Sequence, residues 1–368
     1  MHDDSFLGKY LKRRTEEGSL RALKLSSGKI DFFSNDYLGI VHNGLLKVDA
    51  GGPHGSTGSR LLSGNATQFE SLESAIAAFH DSETALVYNS GYDANLGLLS
   101  CVPRKDDTVI YDSLCHASIR DGIRLSLATA WSFLHNDTAD LEKKLRNAKG
   151  EIFVVTESLF SMDGDMAPLA EISGICERYS AHLIVDEAHA TGIIGPSGAG
   201  LVQMEKLQQH CFARIHTFGK ALGCHGAVIL GSGLLKSYLV NFSRSLIYTT
   251  ALPVSALKSV EESYKLFPQL DAERGALKQL IDRFTAALIP FKRIPGSSPI
   301  QGVVVPGNAP VRQLSHKLVN SGFEVRPIMS PTVAKGAERL RIVLHSFNTD
   351  DEVDKLIKLL QQGDQHMA

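Results

Sequence analysis

The chain has 368 residues, enough for about two domains at roughly 150 residues each and for a sizeable core. Lys and Arg total 38 against 40 Asp and Glu, a formal net charge of -2, with 43% hydrophobic and 21% charged residues; this excludes a broadly basic nucleic-acid surface and a disordered chain. No apolar run reaches about 18 residues and the start, MHDDSFLGKY, is acidic, so neither a membrane span nor an export signal is expected.

Five widely spaced cysteines (Cys101, Cys115, Cys176, Cys211, Cys224), with no C-x-x-C, indicate neither a disulfide framework nor a metal cluster. A reducing cytoplasm fits this usage.

In chain order, Phe6, Leu7, Tyr10 and Leu11 fall on one side of a helix, and residues 30–33 read as extended. The first 45 residues are expected to pack with a small domain. Thr67 and Glu70 read as a T-x-x-E capping box, followed by Phe69, Leu72, Ile76 and Phe79 at helical spacing. Short β-branched runs at 83–88, 108–111, 151–156, 182–186, 212–217 and 226–230 then alternate with helical segments. That pattern predicts an α/β fold, a mostly parallel central sheet covered by helices, over residues 46–265. Beyond Pro253 a helical stretch runs to about residue 290, followed by strand-like 300–305, 322–326 and 339–344. These predict a smaller α+β domain over 266–368.

HLIVDEAHATG (182–192) places Asp186, Glu187 and His189 just past a buried strand, and carboxyl ends of strands are where ligands bind in such sheets. A D-E-A-H tetrapeptide also occurs in nucleotide hydrolases, which need G-x-x-x-x-G-K-[ST] for the phosphates. Gly28-Lys29 runs into Ile30 and Gly219-Lys220 into Ala221, so that reading fails. In IHTFGKALG (215–223), Lys220 is either an ordinary solvated lysine or a desolvated amine suited to a Schiff base.

An aspartate, a histidine and a lysine 34 residues after the aspartate together match the needs of pyridoxal phosphate. A buried carboxylate, Asp186, keeps the pyridine nitrogen protonated, and Lys220 takes the aldehyde. SLCHAS (113–118) offers His116, either a surface residue or a ring to stack on the cofactor. NSGYDAN (89–95) opens a helix whose Gly91 and Tyr92 amides sit at the positive end of the dipole.

These segments, with SNDYLG (34–39), GSTGSRLLSGN (55–65), CHAS (115–118), VTESLFSMDGDMAPL (155–169), VDEAHATG (185–192) and RLRI (339–342), run in one order along nearly the whole chain. In this order the sequence resembles the α-oxoamine synthases, pyridoxal-phosphate enzymes of fold type I, the aspartate aminotransferase fold. The resemblance implies that Lys220 bonds the cofactor, Asp186 pairs with the pyridine nitrogen and His116 stacks on the ring. It places His189 and Ser161 near the phenolic oxygen and ring, and Thr217 with the Gly91 and Tyr92 backbone at the phosphate.

Thr249 or Thr250, in IYTTALP, is implied to reach the phosphate of a neighbouring subunit, hence a homodimer with shared active sites. Asn35 and Arg341 match positions that hold the amino-acid carboxylate, with Arg339 read as solvated, and Arg21 and Thr332 fall where the substrate is contacted. Here the family's P-P-T-V appears as Ser330-Pro331-Thr332-Val333. The implied activity is an acyl transfer: condensation of L-alanine with an acyl-CoA, pimeloyl-CoA, releasing CoA and CO2 on the route to biotin. Glycine with acetyl-CoA, or serine with palmitoyl-CoA, is the alternative within the family. A non-catalytic scaffold would be expected to lack Lys220.

Overall fold

The computed structural model describes residues 3–23, 25, 28–48 and 54–362. They form two compact units: a smaller one of Met1–Ser34, Met162–Asp165 and Gly275–Ala368, and a larger one of Asn35–Ser161 and Met166–Arg274. The sequence pattern places the divisions after residues 45 and 265, and the structure moves both. Tyr37, Leu38 and Ile40 are fully buried, and the Tyr37 hydroxyl lies 2.7 Å from His189 Nδ1 within the larger unit. At the other boundary, Phe267 is buried edge-on to Phe79 and Tyr264 of that same unit.

The chain opens with α1 (Gly8–Glu16) and the short strand β1 (Ile30–Asp31). Phe6, Tyr10 and Leu11 on the expected apolar side are more than half exposed. In the larger unit, β2 (Thr84–Tyr88), β3 (Thr108–Asp112), β4 (Thr129–Phe133), β5 (Ile152–Glu157), β6 (His182–Asp186), β7 (Cys211–Thr217) and β8 (Ala227–Gly231) form one seven-stranded sheet in the order β2-β8-β7-β6-β5-β3-β4. β8 alone runs opposite to the other six strands. The mostly parallel sheet expected from the sequence is therefore present. The edge strand β4, Thr-Ala-Trp-Ser-Phe, is missed by pattern because it buries only Phe133 and carries no apolar run.

Helices cover both faces, as a parallel sheet requires. Among them are α2 (Thr67–Phe79), α3 (Gly91–Cys101), α4 (Ala117–Ser126), α5 (Thr138–Leu145) and α6 (Leu169–Arg178). Because side chains alternate along a strand, Phe153 and Val155 of β5 and Ile184 of β6 pack with Leu98 of α3 and Ile119 of α4. Val154, Leu183 and Val185 point the other way, onto Leu141 of α5 and Ile172 of α6. The expected capping box on α2 does not form: Ala66 is the N-cap, Thr67 is already helical, and Glu70 instead accepts from Asn65 Nδ2 at 3.2 Å.

In the smaller unit β9 (Ile300–Val304), β11 (Arg326–Ile328) and β12 (Arg339–Val343) make an antiparallel sheet, order β11-β12-β9, while β10 (Phe323–Glu324) pairs parallel with β1. The single strand expected at 322–326 is thus two. The chain changes partner at buried Val325, leaving β1 and joining β12. A capping box does exist at Thr349, whose hydroxyl accepts from the Glu352 amide at 3.2 Å while Glu352 accepts from the Thr349 amide at 2.8 Å. Among the described residues no helix is long and apolar enough to cross a membrane.

Candidate active site

The strand register assembles the site. Glu157 and Asp186 are the last residues of β5 and β6 and lie opposite each other, and Asp186 lies opposite Ile215, two residues before the end of β7 at Thr217. Side-chain alternation sends Glu157, Asp186 and Thr217 to the face where Val155, Ile184 and Ile215 pack. All three therefore stand at the carboxyl edge of the sheet, on the α3 and α4 side.

Asp186 is buried, and its carboxylate is fixed by two donors, Asn95 Nδ2 to Oδ2 at 2.7 Å and the Ala188 amide to Oδ1 at 2.9 Å. Asn95 Nδ2 also donates to Ser118 Oγ at 3.1 Å, and Ser118 Oγ lies 2.8 Å from His116 Nδ1. His116 caps α4, its Nδ1 accepting from the Ser118 amide at 3.2 Å, and its own amide donates to Glu157 Oε1 at 2.6 Å. Burial pushes the Glu157 carboxyl up to about 8; the Asp186 charge adds to this and Lys220 opposes it. The His116 imidazole is pushed below its ordinary value by burial, against the pull of Asp186, with Lys220 and Arg120 pushing the same way as burial. Lys220, Asp186, His116 and Glu157 thus share one electrostatic neighbourhood.

Lys220 sits in a tight turn after β7, closed by Phe218 N to Gly226 O at 2.9 Å, Cys224 N to Phe218 O at 2.7 Å and Gly223 N to Lys220 O at 2.9 Å. At the start of α3, Ser90 Oγ accepts from the Asp93 amide at 3.1 Å, and the first-turn Gly91 and Tyr92 amides have no intrahelical acceptor. A Cβ on Gly91 would lie 2.5 Å from Thr217 Cγ2, so glycine alone lets this helix start meet the end of β7. His189 is buried beside Tyr37, whose hydroxyl donates to Asn35 Oδ1 at 3.2 Å. Ser161 is half-buried in the segment after β5. Thr249 Oγ1 and the Thr250 carbonyl both accept from Asn89 Nδ2, at 3.0 and 2.9 Å; Thr249 is half-buried and Thr250 exposed.

Three expected substrate residues lie in the smaller unit. Arg21 Nη2 donates to Thr332 Oγ1 at 3.3 Å, which brings that pair together. Arg341, on β12, is buried, with Nη1 3.5 Å from the Phe33 carbonyl. Its neighbour Arg339 is not solvated as expected: it is 8% exposed, ion-paired with Asp163 and donating from Nε to the Ala337 carbonyl at 2.9 Å. Alternation along β12 puts Arg339 and Arg341 on one face, and that face is covered at both residues.

Four polar residues of the site were not singled out from the sequence: Tyr37, Asn95, Ser118 and Glu157. Each stands inside a quoted motif, and each is a polar group among apolar neighbours that burial would force into hydrogen bonds.

The residues fit pyridoxal phosphate. The α3 start, with its first-turn amides, packs through Gly91 on the Thr217 methyl, a carboxylate is held in place by two N–H donors, and a lysine acts on the same groups. Fold and site together define a fold-type-I pyridoxal-phosphate enzyme.

The aminotransferase class I and II profile matches residues 23–360, and the chain belongs to that family, in its α-oxoamine synthase branch. An 8-amino-7-oxononanoate synthase of Emericella nidulans is 38% identical, over 97% of this chain and 95% of its own. A serine palmitoyltransferase of Sphingomonas wittichii superposes with a TM-score of 0.88 at 26% identity, covering 98% of this chain and 96% of the other. An 8-amino-7-oxononanoate synthase of Francisella tularensis superposes with a TM-score of 0.76 at 28% identity, covering 92% and 98%.

Proposed function

We propose that the chain condenses L-alanine with pimeloyl-CoA to give 8-amino-7-oxononanoate, CoA and CO2, a step of biotin synthesis. The observation that carries the chemistry is the juxtaposition of Asp186, Lys220 and His116 at one sheet edge. The substrate reading is supported by relatives of that name at 36–38% identity over 90% or more of this chain. Serine palmitoyltransferases share the fold at lower identity, which keeps serine with a long acyl-CoA as the second reading.

Pyridoxal phosphate, when bound, supplies an aldehyde for the amino nitrogen and an electron sink for the pair left on Cα. Asp186 holds a proton on the pyridine nitrogen, and Lys220 Nζ removes the Cα proton of the amino acid. The Gly91 and Tyr92 amides and the Thr217 hydroxyl would hold the phosphate, and His189 and Ser161 would serve the phenolic oxygen and ring. His116 would lie against the ring and would donate to the thioester carbonyl oxygen where negative charge develops. A carbon–carbon bond forms between Cα and the acyl carbon as the carbon–sulfur bond breaks and CoA leaves; the former amino-acid carboxylate then departs as CO2 and a proton returns to Cα.

Asn35 and Arg341 serve that carboxylate, Arg341 through its planar fork, and Arg21 and Thr332 contact the acyl substrate. The enzyme acts as a homodimer in the cytoplasm, and exposed Thr250 is the hydroxyl offered to the neighbouring subunit's phosphate. The test is a matrix of alanine, glycine and serine against pimeloyl-, acetyl- and palmitoyl-CoA, read as CoA release. The highest kcat/KM is expected for alanine with pimeloyl-CoA; a higher value for another pair overturns the assignment.

A further inference from the structure

Hydrogen counting along the buried chain from Asp186 to His116 leaves one arrangement. Asn95 Nδ2 has two hydrogens, and both are used, one on Asp186 Oδ2 at 2.7 Å and one on Ser118 Oγ at 3.1 Å. Its contact with a carboxylate fixes which end of the amide is nitrogen. Ser118 Oγ lies 2.8 Å from His116 Nδ1 and can either donate its one hydrogen there or accept on its second lone pair, so the choice is made by the other contact of Nδ1. The Ser118 amide donates to the same Nδ1 at 3.2 Å. An imidazole nitrogen that accepts from an amide N–H carries no proton itself, so the Ser118 hydroxyl donates to it as well and the proton of neutral His116 is on Nε2.

We propose that Asn95 and Ser118 are positioning residues that lock His116 as the neutral Nε2–H tautomer and tie its orientation to the Asp186 carboxylate. Ser118 is fully buried and Asn95 is 2% exposed, so water does not compete for these bonds. The groups acting on His116 are Asp186, Glu157, Lys220, Arg120 and Asp121, from β5, β6, α4 and the turn after β7. Burial and the two cations oppose charging of the ring, so near neutrality it is a hydrogen-bond donor through Nε2 and not a general base.

This deepens the function proposed above and rests on its placing of His116 at the reacting carbonyl. The tautomer, though, is read without turnover. Holoenzyme carrying isotopically labelled histidine would be recorded by long-range proton–nitrogen NMR, with His116→Asn assigning the signal. The expected wild-type signature is an unprotonated Nδ1 and a protonated Nε2; a protonated Nδ1 overturns the proposal.

Ser118→Ala removes one of the two donors to Nδ1 and keeps the amide, so an Nδ1-protonated fraction should appear beside the Nε2–H form and kcat fall about tenfold, as for one lost buried hydrogen bond, with KM for the amino acid unchanged. Ser118→Thr should restore both. An unchanged tautomer in Ser118→Ala refutes the lock. If that variant does not fold, the wild-type spectrum decides alone. Absent CoA release with a correct tautomer refutes the proposed activity and leaves the lock standing.

Discussion

Glu157 offers the sharpest physical test of the site's electrostatics. It is fully enclosed, opposite Asp186 in the sheet, and its carboxyl is held up to about 8, with burial the larger cause and the Asp186 charge the next. At neutral pH the folded chain therefore keeps a proton that the unfolded chain releases near 4.5. The native state binds more protons over this window, so its stability falls as pH rises from about 4.5 to about 8 and is unaffected below it.

Glu157→Gln keeps the shape and still accepts from the His116 amide, but takes up no proton. At 1.36 kcal/mol per pH unit, the variant should gain about 3 kcal/mol on the wild type between pH 5 and pH 7.5. Urea unfolding of both proteins at the two pH values measures this. Infrared spectra of the wild type at pH 7 should show the carbonyl band of a protonated carboxylic acid that the variant lacks. Stabilities that stay parallel with pH, together with no such band, would refute the reasoning.

Lys220→Ala should abolish the visible absorbance of the lysine-bound cofactor and all CoA release, while far-UV circular dichroism stays unchanged. Gly91→Ala forces a Cβ to within 2.5 Å of Thr217 Cγ2, and should weaken pyridoxal-phosphate affinity by about tenfold, an overpacking cost of roughly 1–3 kcal/mol, as read by fluorescence titration. Gly200→Ala meets Glu187 Oε2 at 1.9 Å with φ at +114°, and should lower the melting temperature sharply. Arg339→Ala leaves Asp163 in the smaller unit without its ion-pair partner and should cost about 3–5 kcal/mol in urea unfolding; a change below 1 kcal/mol would show the pair to be solvated.

What the sequence made legible follows from how each residue is positioned. Asp186, Thr217 and Lys220 sit at or just after apolar strands whose ends pattern alone locates, and ligand chemistry is expected there. Asn95 and Ser118 are instead brought together by the packing of α3 on α4, and no spacing within either motif foretells a bond across two helices. Tyr37 reaches His189 across 152 residues of chain. Arg339 reads as a solvated neighbour of Arg341 because its partner, Asp163, comes from Met162–Asp165, a segment that joins the smaller unit from the middle of the chain. Edge strand β4 was hidden for the opposite reason: so little of it is buried that no hydrophobic period marks it.

The central claim, decarboxylative condensation, is tested most directly with carboxyl-labelled L-alanine and pimeloyl-CoA. Labelled CO2 and free CoA should appear in equal amounts, with a product of the mass of 8-amino-7-oxononanoate. CoA release with the label retained in the product, or no release at all from this pair, would contradict it.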